Sequence, residues 1–275
     1  AMQRSLVGSE MCIRDRNNMQ WVKMPPKVYF ERNSLRYLET MAGIKKVFLV
    51  CDPGMVKFGY ADRVTAVLNK RKEPVDIDIF SEVEPNPSSD TVYKGVARMK
   101  TFEPDTIIAL GGGSAMDAAK GMWLFYEHPE TSFLGAKQKF LDIRKRAYKV
   151  PVPNKVTYIG IPTTSGTGSE VTPYAVITDS QTHVKYPITD YAMQPDVAII
   201  DPQFVETVPA RTTAWTGLDV ITHATESYVS TMASDYTRGW SIQALKLAFK
   251  YLKASYDGDK HAREKMHNAS TLAGM

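Results

Sequence analysis

The sequence is poor in cysteine and lacks any long apolar run. Cys12 and Cys51 are its two cysteines in 275 residues, too few for a disulfide framework or a cysteine-based zinc site. No apolar segment approaches the ~20 residues of a transmembrane helix. The net charge of +4 is small and both signs are interspersed, which argues against nucleic-acid binding. We therefore expect a cytoplasmic protein that binds neither nucleic acid nor membrane.

The composition is that of a soluble globular protein, with 43% hydrophobic and 23% charged residues. Residues 1–16 show neither helix nor strand periodicity and resemble translated adapter sequence, so we treat them as an artefactual or disordered leader. Strand-like and helix-like segments then alternate through residues 17–203, which predicts an α/β domain with a parallel sheet. The predicted strands are 46–51, 75–80, 106–110, 155–161, 174–178 and 197–200, and the predicted helices are 60–71, 89–102 and 115–126.

The pattern changes after Pro202 and Pro209. Residues 204–275 contain no clear strand and predict helices at 215–230, 235–251 and 262–275. We expect a second, all-helical domain whose pattern stops in mid-helix at the end of the chain.

The most informative motif is the triple glycine Gly111-Gly112-Gly113, between a predicted buried strand and a predicted helix. Bare backbone and a helix N-terminus together form a cradle for phosphate. The motif is not a G-x-G-x-x-G fingerprint, because Met116 takes the last glycine's place, and it is not a Walker A loop. It predicts a nucleotide or dinucleotide phosphate site, and a ligand-free strand–helix turn is the alternative.

Asp52 follows the first clear strand. A carboxylate there can bind a ribose diol and would repel a 2′-phosphate, which favours NAD over NADP. The alternative is a turn-forming aspartate before Pro53-Gly54. The hydroxyl-rich loop at residues 163–170 can also bind phosphate and nicotinamide groups, or it is a solvated surface loop.

Asp219 and His223 lie four residues apart in a predicted helix, so both project from one face. Oxygen and nitrogen ligands suit Fe²⁺, Zn²⁺ or Mn²⁺, and a helix-surface pair is the alternative. We do not expect His261 and His267 to be ligands, because their charged segment suggests exposure to solvent. His128 and His183 are predicted to be surface residues.

Three motifs in this order resemble the iron-dependent (group III) alcohol dehydrogenases, above all the alcohol-dehydrogenase half of bifunctional aldehyde–alcohol dehydrogenases. They are GGGSAMDAAK at 111–120, PTTSGTGSEVTP at 162–173 and GLDVITHATESY at 217–228. Supporting stretches occur at 21–30, 127–130, 142–146, 185–187 and 244–256. The resemblance implies a Rossmann-like NAD-binding domain, a helical metal-binding domain and an active site between them.

The resemblance also implies roles for individual residues. Gly111, Gly112, Gly113 and Ser114 would hold the NAD pyrophosphate, and Asp117 would shape that site. Asp52 would select NAD, and Lys185 would reach the nicotinamide ribose. The residues implied to line the cofactor cleft are Thr163, Thr164 and Thr167, and those implied to bind Fe²⁺, or alternatively Zn²⁺, are Asp219 and His223.

The implied reaction interconverts small primary alcohols and aldehydes such as ethanol and acetaldehyde, with a metal rather than an identified general base as the catalyst. The implied assembly is a homo-oligomer, with filaments in the full-length protein. Two further histidine ligands expected of the family have no match here, so we expect a fragment that binds metal weakly. The alternatives are a non-catalytic NAD-binding subunit or assembly module, and an enzyme similar to glycerol or butanol dehydrogenase.

Overall fold

A computed structural model describes residues 22–131, 133–136 and 154–275. The predicted leader at 1–16 and the supporting stretch at 142–146 lie outside these residues, as does the first residue of the stretch at 21–30. Among the described residues no helix is both long enough and apolar enough to cross a membrane.

Eight strands are found in the described ranges. They are β1 (Lys27–Phe30), β2 (Lys46–Cys51), β3 (Asp76–Phe80), β4 (Thr106–Gly111), β5 (Thr157–Pro162), β6 (Tyr174–Thr178), β7 (Lys185–Thr189) and β8 (Val197–Ile200). Six of them form one parallel sheet in the order β1-β8-β5-β4-β2-β3, while β6 and β7 pair with each other as a separate antiparallel hairpin.

The helices pack on the sheet and then continue beyond it. They are α1 (Tyr37–Thr40), α2 (Pro53–Lys57), α3 (Tyr60–Leu68), α4 (Ser89–Phe102), α5 (Gly113–Glu127), α6 (Phe133–Ala136), α7 (Ala210–Val229), α8 (Asp235–Tyr256) and α9 (Lys260–Gly274). Short 3₁₀ turns link several elements, including Ser169–Val171 and Pro202–Phe204.

The central strands are buried on both faces, because successive side chains point to opposite layers. Phe48 and Val50 of β2 join the core that contains α4 and α5. Val47 and Leu49 join the core beneath α1 and α3. The helices α7, α8 and α9 share a third apolar core of their own. The sheet therefore lies between two helical layers, with a helical region after it.

The order of the strands creates a crevice where the chain reverses direction across the sheet. β2 pairs with β3 on one side and with β4 on the other. Open α/β sheets bind ligands at this reversal, beyond the carboxyl ends of the strands. Asp52 follows β2 and Gly111 ends β4, so both residues lie at this place.

The predicted fold class is confirmed, with a parallel α/β sheet followed by helices. Two strands were not predicted, β1 and β7. The segment Tyr174–Thr178 is a strand as expected, but it pairs antiparallel with β7 and not with the main sheet. The domain limits at 17–203 and 204–275 remain predictions.

Candidate functional site

The carboxylate of Asp52 lies beside the backbone of Gly111. Its Oδ1 accepts a hydrogen bond of 2.8 Å from the Gly54 amide and so caps α2. A Cβ placed on Gly111 would lie 3.4 Å from Asp52 Oδ2 and 2.7 Å from the Ala115 Cβ. Gly111 has φ +152°, which favours glycine. Asp52 thus forms the turn and also faces the glycine motif.

The hydroxyl-rich loop lies directly on the glycine turn. The backbone N–H of Thr163 donates a hydrogen bond of 2.9 Å to the Gly111 carbonyl. A Cβ on Gly112 would come 3.2 Å from Thr164 Oγ1, and one on Gly113 would come 2.9 Å from Thr167 Cγ2. The glycines are therefore needed for this close approach. The structure brings these six predicted cofactor residues together.

The N-terminus of α5 is open towards this turn. No side chain caps it, and its first turn carries no acidic residue. The first backbone N–H groups of a helix lack partners within the helix, and the helix dipole favours an anion at this end. The 15-residue helix α5 has no side-chain cap and begins at Gly113, directly after Gly112. Its free N–H groups and the lack of side chains there suit the binding of a pyrophosphate.

Ser114 and Lys185 meet through Asn86, which the sequence analysis did not single out. The backbone N–H of Asn86 donates a hydrogen bond of 3.2 Å to Ser114 Oγ. Lys185 Nζ donates one of 2.7 Å to the side-chain oxygen Oδ1 of Asn86. Asn86 has φ +57°, in the left-handed region that asparagine tolerates better than most residues. The run Pro85-Asn86-Pro87 is a turn signal that could have marked it.

Asp117 binds the end of the hydroxyl-rich loop and strand β6. Its Oδ1 accepts a hydrogen bond of 2.9 Å from Ser169 Oγ, and its Oδ2 accepts one of 3.0 Å from the backbone N–H of Val176. Burial raises the pKa of Asp117, opposed by the nearby Lys120 ammonium. Asp117 therefore ties β6 to α5.

Lys120 lies in the same cluster and is fully buried. Its ammonium donates to three backbone carbonyls, at Ser169 (2.6 Å), Thr172 (2.7 Å) and Tyr174 (2.8 Å). Burial lowers its pKa to about 8, opposed by Asp117 and Glu170. Glu170 is also buried, and burial raises its pKa. The far end of the loop is therefore not a solvated surface.

The middle of the hydroxyl-rich loop reaches the predicted metal residues. A Cβ on Gly166 would lie 2.9 Å from Thr216 Cβ and 3.3 Å from Asp219 Oδ2. Both Thr216 and Asp219 belong to α7. The cofactor loop and the metal candidates are therefore adjacent in space.

Asp219 and His223 face each other on α7. Asp219 Oδ1 and His223 Nε2 are 3.6 Å apart, and both side chains are more than one-third exposed (39% and 37%). Their oxygen and nitrogen atoms are of the kinds that iron and zinc bind. No third histidine, cysteine or carboxylate joins them within the ranges that the structure describes. The pair fits two ligands of a metal site, and the described residues supply no more.

Two histidine predictions were wrong. His128 is buried, and its Nε2 lies 3.0 Å from Asn154 Oδ1. His267 is also buried, with Nδ1 3.0 Å from Ser165 Oγ. Arg263, four residues earlier on the same face of α9, is charged and yet buried, so the charged composition of the segment concealed the burial of His267. His261 and His183 are exposed, as expected.

Burial lowers the pKa of His267 to about 3, although the Pro162 carbonyl opposes this shift. His267 Nε2 has no hydrogen-bond partner among the described residues. The imidazole is therefore neutral at ordinary pH.

Two family profiles match the chain on either side of a short connection. Residues 25–202 match iron-containing alcohol dehydrogenase, and residues 213–275 match the C-terminal part of the Fe-containing alcohol dehydrogenase family.

Individual relatives agree with these matches. The chain is 59% identical over 261 residues to aldehyde-alcohol dehydrogenase 2 of Entamoeba histolytica, covering 94% of this chain and 30% of the relative. It is 44% identical to an NADPH-dependent butanol dehydrogenase of Clostridium saccharobutylicum, covering 92% and 63%. The chain thus spans about a third to two thirds of the length of these relatives.

Solved structures share the fold. A 1,3-propanediol oxidoreductase gives a TM-score of 0.84 at 32% identity, covering 94% of this chain and 65% of that one. A sulfoacetaldehyde reductase from Bifidobacterium kashiwanohense, solved in complex with NAD⁺, gives 0.79 at 29% identity, with coverages of 94% and 66%.

Proposed function

Because the chain belongs to the iron-containing alcohol dehydrogenase family, we propose that it carries the NAD-binding part and two metal ligands of an alcohol dehydrogenase. The proposed reaction interconverts small primary alcohols, such as ethanol, with their aldehydes. A relative 59% identical is named as an aldehyde-alcohol dehydrogenase, which supports this substrate class.

The observation that carries the proposal is the contact between the glycine turn and the hydroxyl-rich loop. Gly112 faces Thr164 and Gly113 faces Thr167, with no room for a Cβ at the second position. A diphosphate beside these glycines would meet backbone amides of α5 on one side and threonine hydroxyls on the other. The two surfaces would exclude water and fix the cofactor's orientation.

Asp52 would bind the adenine ribose of NAD. Its Oδ1 already accepts the Gly54 amide, while Oδ2 faces Gly111, so one carboxylate oxygen remains directed at the crevice. A carboxylate there accepts hydrogen bonds from ribose hydroxyls and repels a 2′-phosphate. The NADPH-dependent relative at 44% identity makes this selectivity worth testing directly.

Lys185 would define the nicotinamide end of the cofactor, next to Ser114 at the pyrophosphate. Asn86 links them by hydrogen bonds of 2.7 and 3.2 Å. The Lys185 side chain is exposed on β7, and its ammonium would donate to hydroxyls of the nicotinamide ribose. The position of this charge depends on the loop at residues 84–88.

Asp219 and His223 would hold the metal beside this cofactor site. When bound, a divalent iron or zinc ion supplies a Lewis acid for the alcohol oxygen, and the nicotinamide supplies the hydride acceptor. Asp219 would offset part of the positive charge of the ion, and His223 would supply a nitrogen ligand. The contact of Gly166 with Asp219 would keep the reacting groups close.

The test has two measurements. NADH is first titrated into the chain and followed by nicotinamide fluorescence, and saturable binding is expected. Ethanol and butanol oxidation are then measured by NADH formation with and without Fe²⁺ or Zn²⁺. A folded chain that binds no NADH would refute the cofactor site. NADH binding without metal-dependent oxidation would favour the alternative of a non-catalytic NAD-binding module.

A further inference from the structure

One face of α9 lies along the hydroxyl-rich loop for about two helical turns. His267 contacts Ser165, Thr271 Oγ1 donates 2.8 Å to Glu170 Oε1, and Gly274 lies against Gly168. Residues 267, 271 and 274 are spaced by four and three, so they occupy one side of the helix. The loop therefore rests on a continuous helical surface.

The last of these contacts fixes the spacing between loop and helix. A Cβ on Gly168 would lie 2.8 Å from the Ser270 carbonyl and 2.8 Å from Gly274 Cα, and Gly168 has φ +61°. Both the close approach and the positive φ require glycine at this position. The loop is thus held at a fixed distance from α9 at its far end.

The contact at the near end is a hydrogen bond made by a buried histidine. His267 is 1% exposed, and its Nδ1 is 3.0 Å from Ser165 Oγ. A buried imidazole needs a partner, because an unmade hydrogen bond costs more than the net gain of a made one. Ser165 lies between Thr164 and Gly166, which face Gly112 and Asp219 respectively.

We propose that His267 is a positioning residue for the cofactor, which holds Ser165 and thereby sets Thr164 and Thr167 against the glycine turn. This inference rests on the proposed NAD site. It assigns a role in cofactor binding to a residue of α9, in the helical region. The hydrogen bond joins the helical region to the loop that covers the cofactor.

The test compares NADH dissociation constants of four variants. His267→Leu and Ser165→Ala each remove the bond, and each is expected to weaken NADH binding about tenfold. The double variant is expected to bind about as weakly as either single one, because both changes remove the same interaction. His267→Asn restores a donor and acceptor near the Nδ1 position and is expected to bind within about threefold of the parent chain.

The measurements separate a positioning role from a purely structural one. A structural role would lower the unfolding midpoint of His267→Leu while leaving the NADH affinity of the folded fraction unchanged. If His267→Leu does not fold, Ser165→Ala and His267→Asn still report on the bond. NADH affinities within twofold of the parent chain, or additive losses in the double variant, would overturn the role of His267 alone. A parent chain that binds no NADH would overturn the cofactor site as well.

Discussion

The methyl group of Thr167 lies over Gly113, so close that a Cβ on this glycine would come within 2.9 Å of Thr167 Cγ2. Thr167 is β-branched, and its side chain has little rotational freedom to move aside. The contact therefore fixes the separation between the loop and the N-terminus of α5, which is the space that a pyrophosphate would enter.

Gly113→Ala should weaken NADH binding by about tenfold, since the loop must shift to admit the new methyl group. Gly239→Ala is the matched control, because nothing lies within 4 Å of a Cβ at that exposed site on α8. The control should keep its NADH affinity and gain about 0.5–1 kcal/mol of stability. Fluorescence titration and urea unfolding of both variants check this, and equal NADH affinities would contradict it.

Asp52→Asn should shift the cofactor preference towards NADPH. Asparagine caps helices about as well as aspartate, so the α2 cap survives while the negative charge is lost. Removing one repulsion near a 2′-phosphate is worth about 1 kcal/mol in a solvated site, or roughly fivefold in NADPH affinity. Asp259→Asn makes the same change at the α9 cap and should leave the NADH to NADPH ratio unaltered.

Metal binding should be weak, because the described residues offer Asp219 and His223 without a third ligand. Calorimetric titration with Zn²⁺ or Fe²⁺ should give a shallow isotherm that Asp219→Asn or His223→Ala removes. His261→Ala is the control, since this exposed histidine of α9 packs on Tyr251 of α8. Tight stoichiometric binding, or binding that persists in Asp219→Asn, would show that other ligands form the site.

Stability should fall as the pH drops below about 6.5. Burial lowers the pKa of His267 from 6.5 to about 3, so the unfolded chain binds a proton in this range that the folded chain does not. The slope should approach about 1.4 kcal/mol per pH unit near pH 5. His267→Asn should flatten the profile between pH 5 and 6.5, as urea unfolding at several pH values would reveal. The raised pKa values of Asp117 and Glu170 act in the opposite sense at lower pH.

Lys120→Met should destabilise the chain by about 3–5 kcal/mol, because it leaves Glu170 and three backbone carbonyls buried without their ammonium partner. Lys94→Met is the control. Lys94 forms an ion pair with Glu82 on the surface, where its side chain is 61% exposed, and such pairs contribute less than about 1 kcal/mol. Chemical denaturation of both variants measures the difference. Similar losses of unfolding free energy would contradict the claim that buried Lys120 contributes more to stability than exposed Lys94.

Elements with a strong local pattern were predictable from the sequence. Helix α4 and strand β8 were predicted with the limits that the structure has, because a capping serine starts α4 and a short apolar run forms β8. Strands β1 and β7 were missed. Their alternating or partly exposed patterns, Lys27–Phe30 and Lys185–Thr189, become strands only when a distant partner pairs with them.

The candidate site divides in the same way. The glycine motif and Asp52 could be selected from the sequence because their backbone roles, a tight turn and a helix cap, require particular residue types at neighbouring positions. His267 and Asn86 were not found, since each acts through a residue more than 25 positions away, at Ser165 and Ser114 respectively. The contact of His267 depends on how the elements pack and has no local pattern, whereas the turn signal Pro85-Asn86-Pro87 could have marked Asn86.

Among the described residues, the hairpin β6–β7 is attached to the rest of the molecule without joining the main sheet. One isolated bridge joins Ser88 to Thr178, and buried Lys120 and partly buried Asp117 hold its first strand by side-chain hydrogen bonds. Neutralising Lys120 or Asp117 would loosen the hairpin without removing any hydrogen bond between strands of the main sheet. Lys185 lies on the second strand, so its ammonium would then no longer be held in place. The two interior groups Lys120 and Asp117 therefore determine the position of a charge on the surface.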